Sequence, residues 1–300
     1  MKSICLGLLL LCAVGLFGQT QPLLLGVLED VPSESANDMH HRAARALFFH
    51  EGDDWKAFPT DCENEECLHK LPARYPQAVH WTIAFDGRKM GEVSARTPAE
   101  WSSYWRVGEQ VILPSAKVPV IGKPTEEFAG FLGDPILRPL VAVSRSNFQA
   151  PDNWKPAHIS ENERAAIRTQ FSKHFASVQN CDNESAPRKN WHYADADFHF
   201  GKSYGASTTW KLAAVHLSAY RCDGIVDDPS NDPFADQWFT IDPNGETQFL
   251  RGNLVLVDAG DYDKSGHSQL LFMIDDYNRS GYVLFYDNFA KQATFEYHFH

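Results

Sequence analysis

Residues 254–286, which read LVLVDAGDYDKSGHSQLLFMIDDYNRSGYVLFY, are the most informative stretch of the sequence. An apolar run enters an acidic loop, and a second apolar run leaves it. A shorter polar segment, residues 275–281, then leads into a third apolar run. Short apolar runs bounded by Asp, Asn, Ser and Gly are typical of strands joined by turns. The stretch therefore predicts three consecutive strands, over residues 254–258, 269–274 and 281–286.

Two other segments have the pattern of β-hairpins. Residues 79–85 (VHWTIAF) alternate between two faces, and the pair Asp86-Gly87 precedes a return strand over residues 89–95. Residues 237–241 and 246–250 flank the turn sequence DPNG in the same way. Asp-Gly and Pro-Asn-Gly supply the backbone angles that tight turns need. Further strands are predicted over residues 46–50, 110–113, 140–144, 209–219 and 294–299.

One segment has the signals of an amphipathic helix. Ser160 and Glu163 have the spacing of a capping box, in which each side chain accepts a hydrogen bond from a free backbone amide at the helix start. An apolar stripe at three- and four-residue spacing follows. The stripe consists of Ile167, Phe171, Phe175 and Val178. We expect this helix to pack on a sheet, and we predict a shorter helix over residues 35–46.

These elements predict a mainly β fold in a single domain over residues 19–300, with a propeller-like arrangement and one amphipathic helix. A large β-sandwich is the alternative. Hydrophobic residues make up 43% of the chain and charged residues 22%, which excludes a collagen-like or disordered protein. The strand–turn units recur at irregular intervals, so the pattern favours a propeller without fixing a number of blades.

The acidic loop carries the residue types of a calcium site. Calcium takes six to eight oxygen ligands, and side chains at alternate positions can converge on one ion where a glycine, here Gly266, permits a sharp turn. The predicted oxygen ligands are those of Asp261, Asp263, Ser265, His267 and Gln269. The alternative is a turn in which the carboxylates accept hydrogen bonds from backbone amides.

At these residues the chain resembles the calcium loops of FG-GAP or VCBS-type β-propeller repeats, whose pattern is strand, D-x-(D/N)-x-D-G-x-x-D, strand. The matching positions are Asp261, Asp263, Gly266 and Leu270. Ser265 and Gln269 replace the third and the last acid, which weakens the negative field of the loop. The resemblance covers one copy, residues 254–286. It implies a propeller that recognises a partner, with calcium as a structural staple.

A second polar segment, residues 191–200 (WHYADADFHF), offers candidate catalytic groups. In an extended chain Asp195, Asp197 and His199 share one face, because strand side chains alternate. Two carboxylates and an imidazole can bind a divalent ion or transfer protons. The alternative is a strand with a solvated polar face.

Charge and the first residues bear on the compartment. The formal net charge is −12, so the basic excess of a nucleic-acid binder is missing. Lys2 precedes 14 uncharged residues, 4–17, a run shorter than the roughly 20 residues that span a bilayer. This pattern predicts a signal peptide over residues 1–18 and a secreted or periplasmic protein without a membrane span after cleavage. The alternative is a membrane anchor that is not cleaved.

The cysteines outside the predicted signal peptide agree with export. They number four, an even count that favours two disulfides. Three pairings are open, and we favour Cys62–Cys67 with Cys181–Cys222, because residues 61–67 (DCENEEC) form a loop that can close on itself. The alternative is a zinc site, but neither pair has the usual C-x2-C spacing.

Two functional hypotheses follow from these features. The first is a secreted binding or structural module for a protein or saccharide ligand, stabilised by calcium. The alternative is a secreted hydrolase that uses carboxylates on a saccharide or ester, with Asp195, Asp197 and His199 as its first candidates.

Overall fold

The computed structural model describes residues 22–33, 40–62, 64–114, 117–129, 134–145, 148–150, 152–176, 179–180, 189–190, 193–217, 235–276 and 279–298. Within them the chain is mainly β, as predicted. The helices are α1 (Glu65–Lys70) and α2 (Glu161–His174), with 3-10 turns over Leu71–Arg74, Tyr104–Arg106 and Asp195–Asp197. The strands are β1 (Leu24–Pro32), β2 (His40–Glu51), β3 (Asp54–Ala57), β4 (Ala78–Phe85), β5 (Arg88–Arg96), β6 (Glu109–Ile112), β7 (Thr125–Ala129), β8 (Pro135–Ile136), β9 (Leu140–Val143), β10 (Lys155–Pro156), β11 (Gln179–Asn180), β12 (Lys189–Asn190), β13 (Phe198–Gly205), β14 (Lys211–Leu217), β15 (Gln237–Ile241), β16 (Thr247–Gly252), β17 (Leu254–Gly260), β18 (Gln269–Asp276), β19 (Arg279–Tyr286) and β20 (Lys291–His298).

Six antiparallel strands close into a barrel. β1 pairs with both β2 and β9, so the order β1–β9–β4–β5–β6–β2 returns to β1. At Gly26 the backbones of β1 and β2 approach so closely that a Cβ atom would lie only 2.2 Å from the backbone oxygen of Arg45. A buried hydrogen bond of 2.8 Å joins the Trp81 indole to the side-chain oxygen of Gln110. β3 extends the barrel sheet beyond β2 as a hairpin.

Two further sheets stack in layers beside the barrel. The five-stranded sheet β10–β13–β14–β15–β16 packs one face on α2 and the other on the four-stranded meander β17–β18–β19–β20. The second face of the meander packs on the barrel. Its strands alternate accordingly: in β19, Val283 and Phe285 face the five-stranded sheet, whereas Tyr282 and Leu284 join the barrel core.

The hairpins and the amphipathic helix are confirmed. The predicted three-strand stretch forms β17, β18 and β19, and the Asp86-Gly87 and DPNG turns join β4 to β5 and β15 to β16. In α2, the Ser160 and Glu163 side chains form the capping box. Its predicted apolar stripe packs on the five-stranded sheet through Ile167 and Phe171, followed by Phe175, whereas Val178 lies outside the described residues.

The short helix predicted over residues 35–46 is wrong where the structure describes it. Residues 40–46 belong to β2, and residues 34–39 lie outside the described residues. The physical reason is tertiary: this segment pairs with β1 on one edge and with β6 on the other, and buries Ala43, Ala44 and Ala46. Distant strand partners override the local helix preference.

The described residues do not show the predicted propeller arrangement. They form a closed barrel and stacked layers, and one four-stranded meander, β17–β20, has the strand number of a propeller blade. The face-to-face packing of the five-stranded sheet on this meander is the arrangement of a β-sandwich, the alternative prediction. The chain therefore combines a barrel with a sandwich-like stack.

One predicted disulfide lies within the described residues. Cys62 is bonded to Cys67, with their Cα atoms 5.3 Å apart, at the start of α1. The N-cap of α1, Asn64, lies inside the loop that this bond closes and accepts a hydrogen bond from the Cys67 amide. Cys181, Cys222 and the predicted signal peptide lie outside the described residues.

Candidate functional site

The acidic loop between β17 and β18 lies against the β2–β3 hairpin of the barrel. The Trp55 indole of β3 donates to Oδ2 of Asp263 at 3.0 Å, and Nε2 of His50 lies 3.6 Å from the same oxygen. The start of the loop is held separately, because Asp261 forms an antiparallel bridge with Gln149. Residues more than 200 positions apart in sequence therefore fix the loop in place.

The predicted ligand Gln269 has its side-chain amide at the centre of the loop. Its oxygen accepts the backbone N–H of Tyr262 at 2.6 Å, which determines the orientation of the amide. Its nitrogen then donates towards three loop oxygens: Oδ1 of Asp263 at 2.9 Å, Oγ of Ser265 at 3.2 Å and the His267 carbonyl at 3.0 Å. Three of the five predicted calcium ligands thus face an N–H donor of this chain.

The two carboxylates of the loop differ in their surroundings. Oδ2 of Asp261 accepts the Gly266 N–H at 3.0 Å, whereas its Oδ1 is buried and has no hydrogen-bond partner in the described part of the chain. Burial, together with the neighbouring Asp263 carboxyl, raises the pKa of Asp261. Burial also acts on Asp263, but hydrogen bonds from Ser265 and Trp55 outweigh it and lower the pKa of Asp263.

These residues fit calcium in part. The unpartnered Oδ1 of Asp261 is the buried oxygen that a cation would satisfy. Against this, the Gln269 nitrogen lies among the oxygens that such an ion would need. No three His, Cys, Asp or Glu side chains in the described ranges come together as a metal-binding group. Calcium binding by the loop stays a prediction of the resemblance.

A polar cleft of about 330 Å³ opens beside the loop. Its walls come from the β2–β3 hairpin, the acidic loop and the turn between β19 and β20. The lining residues are His50, Asp53, Asp263, Lys264, Ser265, His267, Gln269, Tyr286, Asp287 and Lys291. A larger cleft of about 500 Å³ lies over the β4–β5 hairpin, but its one lining carboxylate, Glu92, is exposed.

The backbone at the rim of the polar cleft is strained. Asp287, Asn288 and Phe289 are three consecutive non-glycine residues with φ of 53°, 52° and 67°, and Lys264 in the loop has a φ of 66°. Left-handed conformations are costly for such residues and persist where the surrounding structure imposes them, often at binding sites. Phe289 packs against two rings, with Trp154 at 5.9 Å and Trp210 at 5.4 Å between centroids.

The second predicted group of site residues does not converge. Asp195 and Asp197 lie in a 3-10 turn, so the alternation of an extended chain is lost. Oδ2 of Asp197 accepts the Ala194 N–H at 2.8 Å and is used in capping this turn. Asp195 is exposed and lies 3.6 Å from Arg168 of α2, whereas His199 lies in β13 opposite His216. The three side chains therefore do not share a pocket.

Several residues of the polar cleft were missed by the sequence analysis. His50, Asp53, Tyr286 and Lys291 carry no local motif, and they meet the loop only through the packing of the barrel on the meander. No sequence signal marks that approach, because a strand pattern specifies which face is apolar but not which distant sheet it packs on.

Comparisons with known protein families, with curated proteins and with solved structures found no match to this chain.

Within the described residues, neither helix has the length and apolar character needed to cross a membrane.

Proposed function

We propose that this protein is a non-catalytic binding module that acts outside the cytosol and recognises a saccharide in the polar cleft. The observation that supports the proposal is the lining of the cleft, where carboxylates, imidazoles, ammonium groups and hydroxyls from three separate segments face one space. A pocket of this size suits a small ligand.

The chemistry of the lining favours a polyhydroxylated ligand over an apolar one. Sugar hydroxyls both donate and accept hydrogen bonds, so they need acceptors such as Asp53 and Asp287 together with donors such as Lys264. Acids and bases are mixed in the cleft, which disfavours a strongly charged ligand of either sign. The packing of Trp55 and Tyr286 beneath the rim keeps the site in place before binding.

In this proposal, the acidic loop forms one ordered wall of the cleft. Asp263 already accepts hydrogen bonds from Trp55, Ser265 and Gln269, so its oxygens hold the loop. We also propose that the loop binds calcium weakly, because the Gln269 nitrogen competes for the same oxygens. Calcium would stiffen the wall and would not take part in chemistry.

Location outside the cytosol rests on two features. Residues 4–17 have the composition of a signal-peptide core, and Cys62 is bonded to Cys67. Disulfides persist in oxidising compartments and are rare in the cytosol.

Screening the purified full-length protein on an array of immobilised mono- and oligosaccharides tests the proposal. We expect a restricted set of sugars to bind, and titration calorimetry with the best free sugar should show one site. Lys264→Gln and His267→Ala should each weaken binding about ten-fold, the loss expected for one or two hydrogen bonds to ligand.

Lys89→Gln is the matched control, because Lys89 is an exposed lysine of the β4–β5 hairpin, away from the cleft. It should bind the sugar as the unmodified protein does. Binding of no sugar at all, or equal binding by Lys264→Gln, His267→Ala and the control, would overturn the proposal.

A further inference from the structure

A row of two histidines and one aspartate crosses the end of the five-stranded sheet, and none of the three lines the polar cleft. His199 of β13 lies directly opposite His216 of β14, and Asp236 immediately precedes β15. Gln237 pairs with Val215, so Asp236 continues the register next to His216. The row therefore spans three neighbouring strands.

The two histidines project from the same face of the sheet. Directly opposed residues of an antiparallel pair share a face, with Cβ atoms roughly 5 Å apart. Ala214, two positions before His216, packs towards the meander, whereas Val215 packs towards α2. His216 and His199 thus lie on the meander side of the sheet, where His199 is exposed and His216 is partly exposed. Their ring centroids are 4.8 Å apart.

Asp236 orients one of the two rings. Its Oδ1 lies 2.9 Å from Nδ1 of His216. A carboxylate at this position accepts the Nδ1 proton and leaves the Nε2 lone pair free, the arrangement found behind metal-bound histidines. A carboxylate partner of this kind holds the ring direction and increases the basicity of the ligand nitrogen.

We propose that His199 and His216 form a binding site for a divalent transition metal such as Zn²⁺ or Cu²⁺, with Asp236 as the positioning residue. Neutral imidazoles suit these ions, and water completes the coordination. The site uses two protein ligands, so micromolar affinity is expected. It shares no residue with the acidic loop, where hard oxygen ligands suit calcium.

Titration calorimetry of the full-length, tag-free protein with Zn²⁺ at neutral pH tests the site. One equivalent should bind, and His199→Gln or His216→Gln should each weaken binding at least about ten-fold. Asp236→Asn should weaken it by about ten- to a hundred-fold, as loss of a carboxylate behind a ligand does. Thermal unfolding of each variant without metal should match that of the unmodified protein.

Electron paramagnetic resonance with Cu²⁺ separates ligation from a structural effect. The unmodified protein should show hyperfine coupling to two imidazole nitrogens, and each histidine variant should show one.

Two control variants exclude other histidines. His69→Gln removes an exposed histidine that also pairs with a carboxylate, Glu100 at 2.8 Å. A variant with both His298→Gln and His300→Gln removes the alternating histidines at the end of the sequence. Both controls should bind Zn²⁺ normally. Loss of binding in either control, or normal binding after His199 and His216 are both replaced by glutamine, would overturn the proposal.

Discussion

The side-chain nitrogen of Gln269 lies 2.9 Å from Oδ1 of Asp263, at the centre of the acidic loop. Because the oxygen of the same amide is held by the Tyr262 N–H, the nitrogen cannot turn away without losing that bond. The amide NH2 group thus lies within hydrogen-bond distance of carboxylate, hydroxyl and carbonyl oxygens that a cation would otherwise coordinate. Glutamine replaces the last acid of the calcium-loop pattern at this position. The Gln269 side chain therefore orders the loop through these hydrogen bonds.

Replacing Gln269 with glutamate should convert the loop from self-stabilised to calcium-dependent. Without calcium, Gln269→Glu removes the central donor and adds a third carboxylate, so the free energy of unfolding should fall by about 2–3 kcal/mol. Millimolar calcium should restore the stability, because the new carboxylate supplies oxygen ligands and charge. The measurement is thermal unfolding with and without calcium.

Gln248→Glu is the control for added charge, since Gln248 is exposed on β16. Its melting temperature should not respond to calcium. A melting temperature of Gln269→Glu that is insensitive to calcium would contradict the proposed role of the loop.

The buried pair of Arg45 and Glu29 joins the barrel to the meander. Arg45 is 1% exposed and Glu29 is 6% exposed; Nε of Arg45 lies 2.5 Å from Oε1 of Glu29, and Tyr282 of the meander donates to the other oxygen. Glu29→Gln removes the carboxylate that is hydrogen-bonded to the buried guanidinium, so we expect a loss of about 3–5 kcal/mol in the free energy of unfolding.

Urea denaturation checks this loss. The control is Glu51→Gln, which breaks the exposed pair of Glu51 with Lys56 and should change the midpoint little. Equal midpoints for the two variants would show that the Arg45–Glu29 pair does not hold the barrel to the meander.

The disulfide between Cys62 and Cys67 closes a short loop, so its removal should have a modest effect. Chain-entropy arguments give about 2 kcal/mol for a loop of this length. A variant with both Cys62→Ser and Cys67→Ser should lose about that much stability by urea denaturation. The N-cap of α1, Asn64, lies inside this loop, so loss of the disulfide should loosen the start of the helix. Circular dichroism should therefore show fraying of α1 and no larger loss of helix.

Limited proteolysis shows which part of the chain is affected by the loss of the disulfide. Cleavage near residues 61–70 should become faster while the other cleavage sites keep their rates. Loss of cooperative unfolding in the variant would instead mean that this disulfide supports the whole domain.

The parts of the fold that could be predicted are those in which sequence neighbours pair. The turns at Asp86-Gly87 and at residues 242–245 carry their own backbone preferences, and the Ser160 capping box marks the start of α2. The closure of the barrel could not be predicted in this way. It requires β1 to pair with β9, which lies more than 100 residues later in the sequence. The alternation of apolar and polar residues along a strand does not indicate which distant strand it pairs with.

The same distinction between sequence neighbours and distant residues applies to the candidate site. The acidic loop was visible because Asp261, Asp263 and Gly266 lie close together in sequence. The other walls of the cleft were not, because His50 and Lys291 come from hairpins at opposite ends of the described chain. The orientation of the Gln269 amide was equally hidden, since it depends on the Tyr262 N–H in the folded loop.

Asp258 should make stability depend on pH with an unusual sign. Its carboxyl is buried, accepts the Asp86 N–H at 3.1 Å and a hydrogen bond from the Tyr262 hydroxyl at 3.2 Å, and burial raises its pKa from 3.8 to about 6. The folded state therefore binds this proton more tightly than the unfolded chain. The contribution of Asp258 to stability is full below about pH 4 and is lost as the pH rises through about 6. The loss amounts to at most about 3 kcal/mol.

Comparing the unmodified protein with Asp258→Asn by urea denaturation between pH 4 and pH 7 isolates this group. Asparagine does not titrate, so the stability of Asp258→Asn relative to the unmodified protein should rise from pH 4 to about pH 6 and then level off. Asp242→Asn is the control, because hydrogen bonds from the Glu246 and Asn244 amides lower the pKa of Asp242 and its titration falls below this interval. Its stability difference should be independent of pH from 4 to 7. A constant difference for Asp258→Asn as well would mean that Asp258 is ionised in the folded protein throughout, with its charge satisfied by the Asp86 turn.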